Sequence, residues 1–209
     1  TNPLMHVNDI AAIAEITQRH GILLMVDNTF LTPINQRPLS LGANIVLHSG
    51  TKYLSGHNDT LAGILVCDSQ NLADRLHYIQ NAVGASLGAI DSWLVLRGIQ
   101  TLAIRVKRQQ ESALKIANWL SANPKISNVF YPGLKNHPGY AISVRQASGF
   151  GGMISFEVSQ EAGGEQFAQH ILEHVKLIQF AESLGGTESL ITYPTTQTHG
   201  AIPEEERIA

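Results

Sequence analysis

The chain has one cysteine, Cys67, at the end of an apolar run. A disulfide framework is thereby excluded, and a reducing cytosol fits. Charged residues are scarce at 15%, and the net charge is −3. Lysine and arginine do not cluster with aromatics, so nothing points to a nucleic-acid partner. No apolar run approaches the length of a membrane span. Ile22-Leu23-Leu24-Met25-Val26 is among the longest, and no secretory segment is visible. No repeat of fixed period occurs. Zinc-type spacings are missing too: there is no His-Glu-x-x-His and no second cysteine to pair, so no metal is expected. What remains is an ordinary globular composition, 44% hydrophobic over 209 residues, enough for one large core or two smaller ones.

Against that background one stretch stands out, Ser49-Gly50-Thr51-Lys52-Tyr53-Leu54-Ser55-Gly56. It follows Ile45-Val46-Leu47, which reads as a buried strand. A lysine just past a strand end can be partly desolvated, which disfavours its ammonium form and frees a neutral amine. A neutral amine attacks carbonyls and forms Schiff bases. The surrounding hydroxyls and glycine N–H groups suit a phosphate ester. An aldehyde bearing a phosphate, pyridoxal 5'-phosphate (PLP), satisfies both. Taken alone, Lys52 reads as a solvated surface group; residues elsewhere in the chain single it out.

Asp9 or Asn8 caps a helix with Ile10, Ile13, Ala14 and Thr17 on one face, ended by Gly21. Ile22 to Val26 shows no alternation and predicts a parallel strand buried on both faces. Asp27 then stands at a strand's carboxyl end, where ligands sit in open α/β sheets. It is a candidate ligand group or an Asx-turn residue. Residues 33–41 predict a connection with a short helical turn. Asn44 to Leu47 and Leu61 to Cys67 predict further strands, so successive βα units point to a mostly parallel α/β sheet. The chain then turns helical from Asn71, with helices over Asp91–Arg97 and Thr101–Leu120. The longer one carries Leu102, Val106, Ala113, Ile116, Ala117 and Leu120 on its apolar face. Strands are predicted at Ile126–Tyr131, Met153–Val158 and Leu177–Phe180, a helix at Glu165–His174, and a long loop over 132–152. This places a domain boundary at 102/103, with a large α/β unit before it and a small α+β unit after it.

Asp27 and Lys52 each end a strand of one sheet, so both would open into one crevice. The lysine would hold the aldehyde of PLP. The carboxylate would keep the pyridine nitrogen protonated, because an opposite charge favours the charged form. Ser49 and Thr51 could donate to the phosphate. A competing motif overlaps: Ser49-Gly50-Thr51-Lys52 fits the S-x-x-K signature of serine acyl hydrolases, but the partner tripeptides S-D-N and K-T-G are absent. Of the nine histidines, His48 and His57 flank the lysine stretch and could orient it. His137, His170 and His174 read as surface or loop residues.

The runs Thr1-Asn2-Pro3, Val26-Asp27-Asn28-Thr29-Phe30, His48 to Tyr53, and Gly56-His57-Asn58-Asp59 resemble the Cys/Met-metabolism PLP enzymes. So do Leu96-Arg97-Gly98, Tyr131-Pro132-Gly133, Gly149 to Met153, and Ala181-Glu182-Ser183-Leu184-Gly185-Gly186. The family comprises cystathionine synthases and lyases, methionine γ-lyase and O-acetylhomoserine sulfhydrylase. The resemblance implies an aspartate-aminotransferase-like fold of type I. It implies Lys52 as Schiff-base lysine and Asp27 as pyridinium partner. It also implies phosphate contacts from Ser49 and Thr51 and a ring-hydroxyl contact from Asn2. Ser183 would position the amine and the substrate carboxylate. Glu182 resembles the γ-acting members, or is a rim charge. Ser189 to Pro194 with Gln197-Thr198-His199 resembles cystathionine γ-synthase and O-acetylhomoserine thiolyase types. Small amino-acid substrates and a homotetramer are implied, with γ-replacement on an O-acylhomoserine ahead of C–S elimination. A fragment is expected, lacking a phosphate loop and a ring-stacking tyrosine before Thr1 and a carboxylate-binding arginine after Ala209. Such a piece alone would bind PLP poorly. A non-catalytic scaffold of the same fold is the reading from a different class.

Overall fold

The computed structural model describes residues 3–195 and 197. Asn2, Thr198, His199 and the chain end after them, named above, lie outside the described residues.

Helix α1 (Ile10–Arg19) begins where Asp9 Oδ1 accepts from the Ala12 N–H at 3.2 Å. It buries Ile10 and Ala14, while Ile13 faces out. Strand β1 is shorter than the apolar run and spans Met25–Asp27. Ile22 and Leu23 precede it, exposed, because ladder pairing starts only where the Leu24 carbonyl accepts from Asn44 and Ile45. The expected burial on both faces is not found. Met25 and Asp27, which share one face, are exposed, while Val26 on the other face is half-buried. Helix α2 (Thr32–Asn35) and a 3-10 turn at Pro38–Leu41 form the connection to β2 (Ile45–Ser49).

β2 is the centre of a three-stranded sheet, parallel to β1 with Asp27 beside Leu47. The third strand, β3 (Gly63–Cys67), runs antiparallel to β2, with Ser49 opposite Gly63. A parallel pairing was the expectation. Parallel neighbours need a crossover, usually a helix. Residues 50–62 hold one tight turn and fold back along β2 instead. Helices α3 (Gln70–Val83) and α4 (Ala89–Ile99) follow, and α5 (Leu102–Ser121) is the long helix that the periodicity predicts.

α5 carries a core at each end. Leu102 and Val106 pack with Tyr53 and Leu54 just past the sheet. Ala113 and Ala117 pack with Tyr131 and Leu134. Ile116, expected on this stripe, is exposed. The second core covers strands β4 (Ile126–Phe130) and β5 (Ser155–Val158), an antiparallel pair. Between them lies a helix that the Gly-, Pro- and His-rich composition hid, α6 (Tyr140–Gln146). Tyr140 stacks on Phe150 at 5.6 Å, which fixes α6 against the loop before β5. Helix α7 (Gly164–His174) follows β5, and a short parallel pair, β6 (Gln179–Phe180) with β7 (Leu190–Ile191), ends the described structure. No helix among the described residues is long and apolar enough to cross a membrane.

α4 meets the lysine turn through Gly98. A Cβ there would lie 2.1 Å from the Ser55 carbonyl oxygen, a backbone atom that cannot swing aside. Gly98→Ala should therefore lower the unfolding free energy of the full-length protein by about 1–3 kcal/mol, the usual cost of overpacking, read from the denaturant midpoint.

Candidate active site

Two loops leave the carboxyl ends of β1 and β2 and are tied together at once. The Asn28 N–H donates to the Leu47 carbonyl at 2.9 Å, extending the ladder by one rung. The Ser49 N–H then donates to Thr29 Oγ1 at 2.8 Å. Asp27 Oδ1 accepts from the Thr29 N–H at 2.9 Å, the Asx-turn that the local sequence allows. That turn uses one carboxylate oxygen. The residue is exposed, so the other remains open to a ligand. Side chains alternate along a strand and neighbours in register share a face, so Asp27, Leu47 and Ser49 project to one side of the sheet. Asn28, buried at 2%, donates to the Thr32 and Gln36 carbonyls and holds α2 under this edge.

The lysine turn, Gly50–Leu54, is helical except at Lys52 itself, where φ is −91° and ψ is −121°. That ψ lies outside both the helical and the extended ranges. The residues around Lys52 hold the turn in place. The surroundings are explicit. Tyr53 and Leu54 are buried in the core against α5. Arg105 of α5 donates to the Tyr53 carbonyl at 2.9 Å and the Gly98 carbonyl at 2.8 Å. Burial lowers the pKa of that guanidinium. Burial also pushes the Tyr53 phenol up to about 12, against an opposing hydrogen bond with the Gly152 backbone. Thr51 Oγ1 accepts from the Ala62 N–H at 3.0 Å, which pins the turn to the chain entering β3. Ser49 Oγ makes no hydrogen bond among the described residues.

The third part of the site comes from residues 181–188. Lys52 Nζ donates to Ser183 Oγ at 3.2 Å, across 131 positions of sequence. Gly185 sits at φ +80° with its Cα so close that a Cβ would stand 2.6 Å from the Tyr53 nitrogen. Only glycine meets both demands. Gln109 of α5 donates to the Gly186 carbonyl at 2.8 Å, and Asn58 Nδ2 donates to Glu188 Oε2 at 2.7 Å. Glu182 lies exposed beside Ser183.

The histidines divide differently from the expectation. His48 is 5% exposed and its Nδ1 is buried without a partner. Burial lowers its pKa from 6.5, although the negative charge of Asp27 works in the opposite sense. His57 Nδ1 lies 2.7 Å from the Ser55 carbonyl, so that ring does contact the lysine turn. His137 is not a surface residue. It is buried, its Nδ1 accepts from the Gly139 N–H at 3.0 Å, and burial lowers its pKa from 6.5. The bend at 137–139 packs Gly139 closely against Val7. Well above 6.5 both rings are neutral, folded or unfolded. Below it the unfolded chain takes up protons that the folded chain refuses, so stability should fall as pH drops. Urea midpoints measured between about pH 7.5 and 5.5, on either side of the ordinary histidine value, should decline, and less steeply in His137→Asn.

Of the residues singled out from sequence, the structure joins Lys52 to Ser183 directly and sets Asp27 and Ser49 on one sheet edge. The Thr51 hydroxyl accepts from the Ala62 N–H at the start of the chain entering β3. Thr29, Arg105 and Gln109 were not singled out. Thr29 had a signal, as the hydroxyl in Asp27-Asn28-Thr29. Arg105 and Gln109 lie on the polar side of α5, where periodicity marks only the apolar stripe.

The pattern for Cys/Met metabolism PLP-dependent enzymes matches residues 1–209. The chain belongs to this family. It is 51% identical over 209 residues to a cystathionine gamma-synthase of Haemophilus influenzae, covering all of this chain and 51% of that protein. It is 49% identical to a cystathionine beta-lyase of Lactococcus lactis subsp. lactis, covering 99% of this chain and 53% of that one. The structure of a cystathionine gamma-lyase from Lactobacillus plantarum complexed with L-serine superposes with a TM-score of 0.95 at 44% identity, over all of this chain and 54% of that chain. The Cys/Met-family chain thus has the type I PLP fold and spans about half the length of the relatives it matches. The donor set of this family member suits PLP. There is one amine on the turn after β2, one free carboxylate oxygen on the neighbouring strand end, and one unengaged hydroxyl at the end of β2.

Proposed function

We propose that the protein to which this chain belongs is a PLP-dependent trans-sulfuration enzyme that performs γ-replacement on an O-acylhomoserine, as a cystathionine γ-synthase does. The observation that carries the reading is the Lys52–Ser183 contact at 3.2 Å beside the Asp27 edge. PLP, when bound, supplies an electron sink that makes a substrate Cα proton acidic. The chain's own residues do the rest. Lys52 Nζ would remove the Cα proton and then a Cβ proton and would later return protons to both carbons, a general-base and general-acid role. The Cγ–O bond to the acyloxy group can then break, and a Cγ–S bond to the incoming thiol, which gives up its own proton, can form. Ser183 Oγ holds that amine in line and accepts its hydrogen bond. Asp27 presents a negative charge that keeps the pyridine nitrogen protonated. Ser49 Oγ and the N–H groups of the lysine turn bind the phosphate, with Thr51 stiffening the turn through Ala62. Glu182, exposed next to Ser183, meets the incoming amino acid.

The same reading divides the chain into 1–102, part of the cofactor-binding domain, and 103–209, part of a small domain. The enzyme works in the cytosol, and identical subunits assemble as a tetramer. C–S elimination is the second reading, favoured by the near-equal identities to a gamma-synthase and a beta-lyase. Mass analysis of products from the full-length protein separates them. O-acetylhomoserine plus cysteine should give cystathionine faster than cystathionine is broken down. Rapid release of a 2-oxoacid from cystathionine, with no replacement product, would transfer the assignment to the lyases.

A further inference from the structure

We infer that the last turn of α7 is a binding site for a divalent transition-metal ion of the zinc type, built from His170, Glu173 and His174. The three residues each offer a ligand atom, and these atoms lie within 4.8 Å of one another. Among the described residues no other such group occurs. The site uses no residue of the PLP machinery and does not depend on the proposed reaction.

Spacing comes first. Positions i and i+4 of a helix face the same way, with i+3 beside them. Two histidines at i and i+4 are the helical zinc pair found in metalloproteases. Here the imidazole centroids are 4.0 Å apart, so both rings already lie on one side of the helix. The spacing reads His170-x-x-Glu173-His174, with the acid inside the pair in reverse order to the familiar motif, which is why a search for His-Glu-x-x-His passes over it.

The protonation pattern comes second. His174 Nδ1 lies 2.8 Å from the His170 carbonyl. A carbonyl only accepts, so Nδ1 carries the hydrogen. In the neutral ring the lone pair is then on Nε2, the metal-ligating atom. Metal-bound histidines almost always donate their other N–H to a carbonyl or carboxylate, which fixes tautomer and ring orientation. This ring has that support from its own backbone. His170 in turn lies nearly parallel to the Phe167 ring, 6.4 Å away.

The field comes third. α7 ends at His174, and a helix C-terminus carries partial negative charge that favours cations. Two imidazoles and one carboxylate select zinc, nickel or copper over the oxygen-seeking magnesium and calcium. Bonds of about 2.0–2.2 Å would draw the ligand atoms closer than their present spread. All three side chains are exposed, so side-chain rotation suffices for that closure. Three protein ligands leave the fourth position to water.

The test uses the full-length protein, stripped with a chelator and titrated with zinc chloride in a calorimeter. His170→Gln and His174→Gln should each weaken one zinc equivalent per subunit by at least about tenfold, because losing even an outer partner of a ligand costs about 10–100-fold. The double variant should lose that equivalent, and Gln169→Ala on the same helix should keep it. With copper(II), electron paramagnetic resonance should show coupling to two imidazole nitrogens in the wild type and none in the double variant. Equal zinc stoichiometry and affinity in wild type and double variant overturns the site, as does a wild type that binds no zinc. Unchanged copper coupling in the double variant overturns it equally.

Discussion

Lys52→Ala in the full-length protein should lower turnover by at least about 10³-fold, within the range expected when a positioned general base is lost. Its yellow colour should disappear with the activity. The fold should survive, because the amine makes one hydrogen bond, to Ser183, and no core contact depends on it. The turn is held by Tyr53, Leu54 and Arg105, none of which the substitution touches. Lys52→Arg should not rescue, since a guanidinium stays protonated and cannot act as a base at neutral pH. Steady-state kinetics and the absorption spectrum read both effects. A Lys52→Ala protein with wild-type turnover would remove the lysine from the mechanism.

Asp27→Asn should cost about 10–10³-fold in turnover, because an opposite charge within reach shifts a partner's pKa by about 1–3 units. This substitution separates the two jobs of the residue. Asparagine keeps the side-chain oxygen that accepts from the Thr29 N–H, so the turn persists. It removes only the charge. Stability should therefore stay within about 0.5 kcal/mol of wild type, as for surface changes that break no structural feature. The rate deficit should shrink as pH falls, since acid restores the proton that the missing carboxylate no longer holds. Asp27→Ala should lose both jobs and be less stable than Asp27→Asn by about 1 kcal/mol, the net worth of a typical hydrogen bond. A pH-independent deficit in Asp27→Asn would point to a steric role instead.

Much of this site could be read before any coordinates. Ile45 to Leu47 is a bounded apolar run, and the hydroxyl- and glycine-rich turn after it put Lys52 at a strand end. Asp9, Gly21 and the α5 stripe gave helix limits to within a residue or two. Other features depend on neighbours that periodicity cannot see. Ile22 to Val26 looks like a doubly buried strand, yet β1 forms only from Met25, because Asn44 dictates where pairing begins. β3 runs antiparallel because residues 50–62 fold back on themselves, a matter of turn geometry. α6 sits among residues that usually mark loops and is held by Tyr140 on Phe150. His137 lies in a loop, as its surroundings in the sequence suggest, yet it is buried there. The contact that matters most, Lys52 to Ser183, crosses 131 positions, and only the order of resembling motifs hinted at it. Arg105 and Gln109 gave no hint, since a polar residue on a helix is normally a solvated one.

The central claim is that the Lys52 amine is where PLP is held. Borohydride reduction of the full-length protein loaded with PLP, followed by proteolysis and peptide mass spectrometry, tests it directly. The account predicts one pyridoxyl label per subunit, on the peptide containing Ser49-Gly50-Thr51-Lys52. A label on any other lysine, or an unlabelled Lys52 peptide in protein that retains bound PLP, would contradict it.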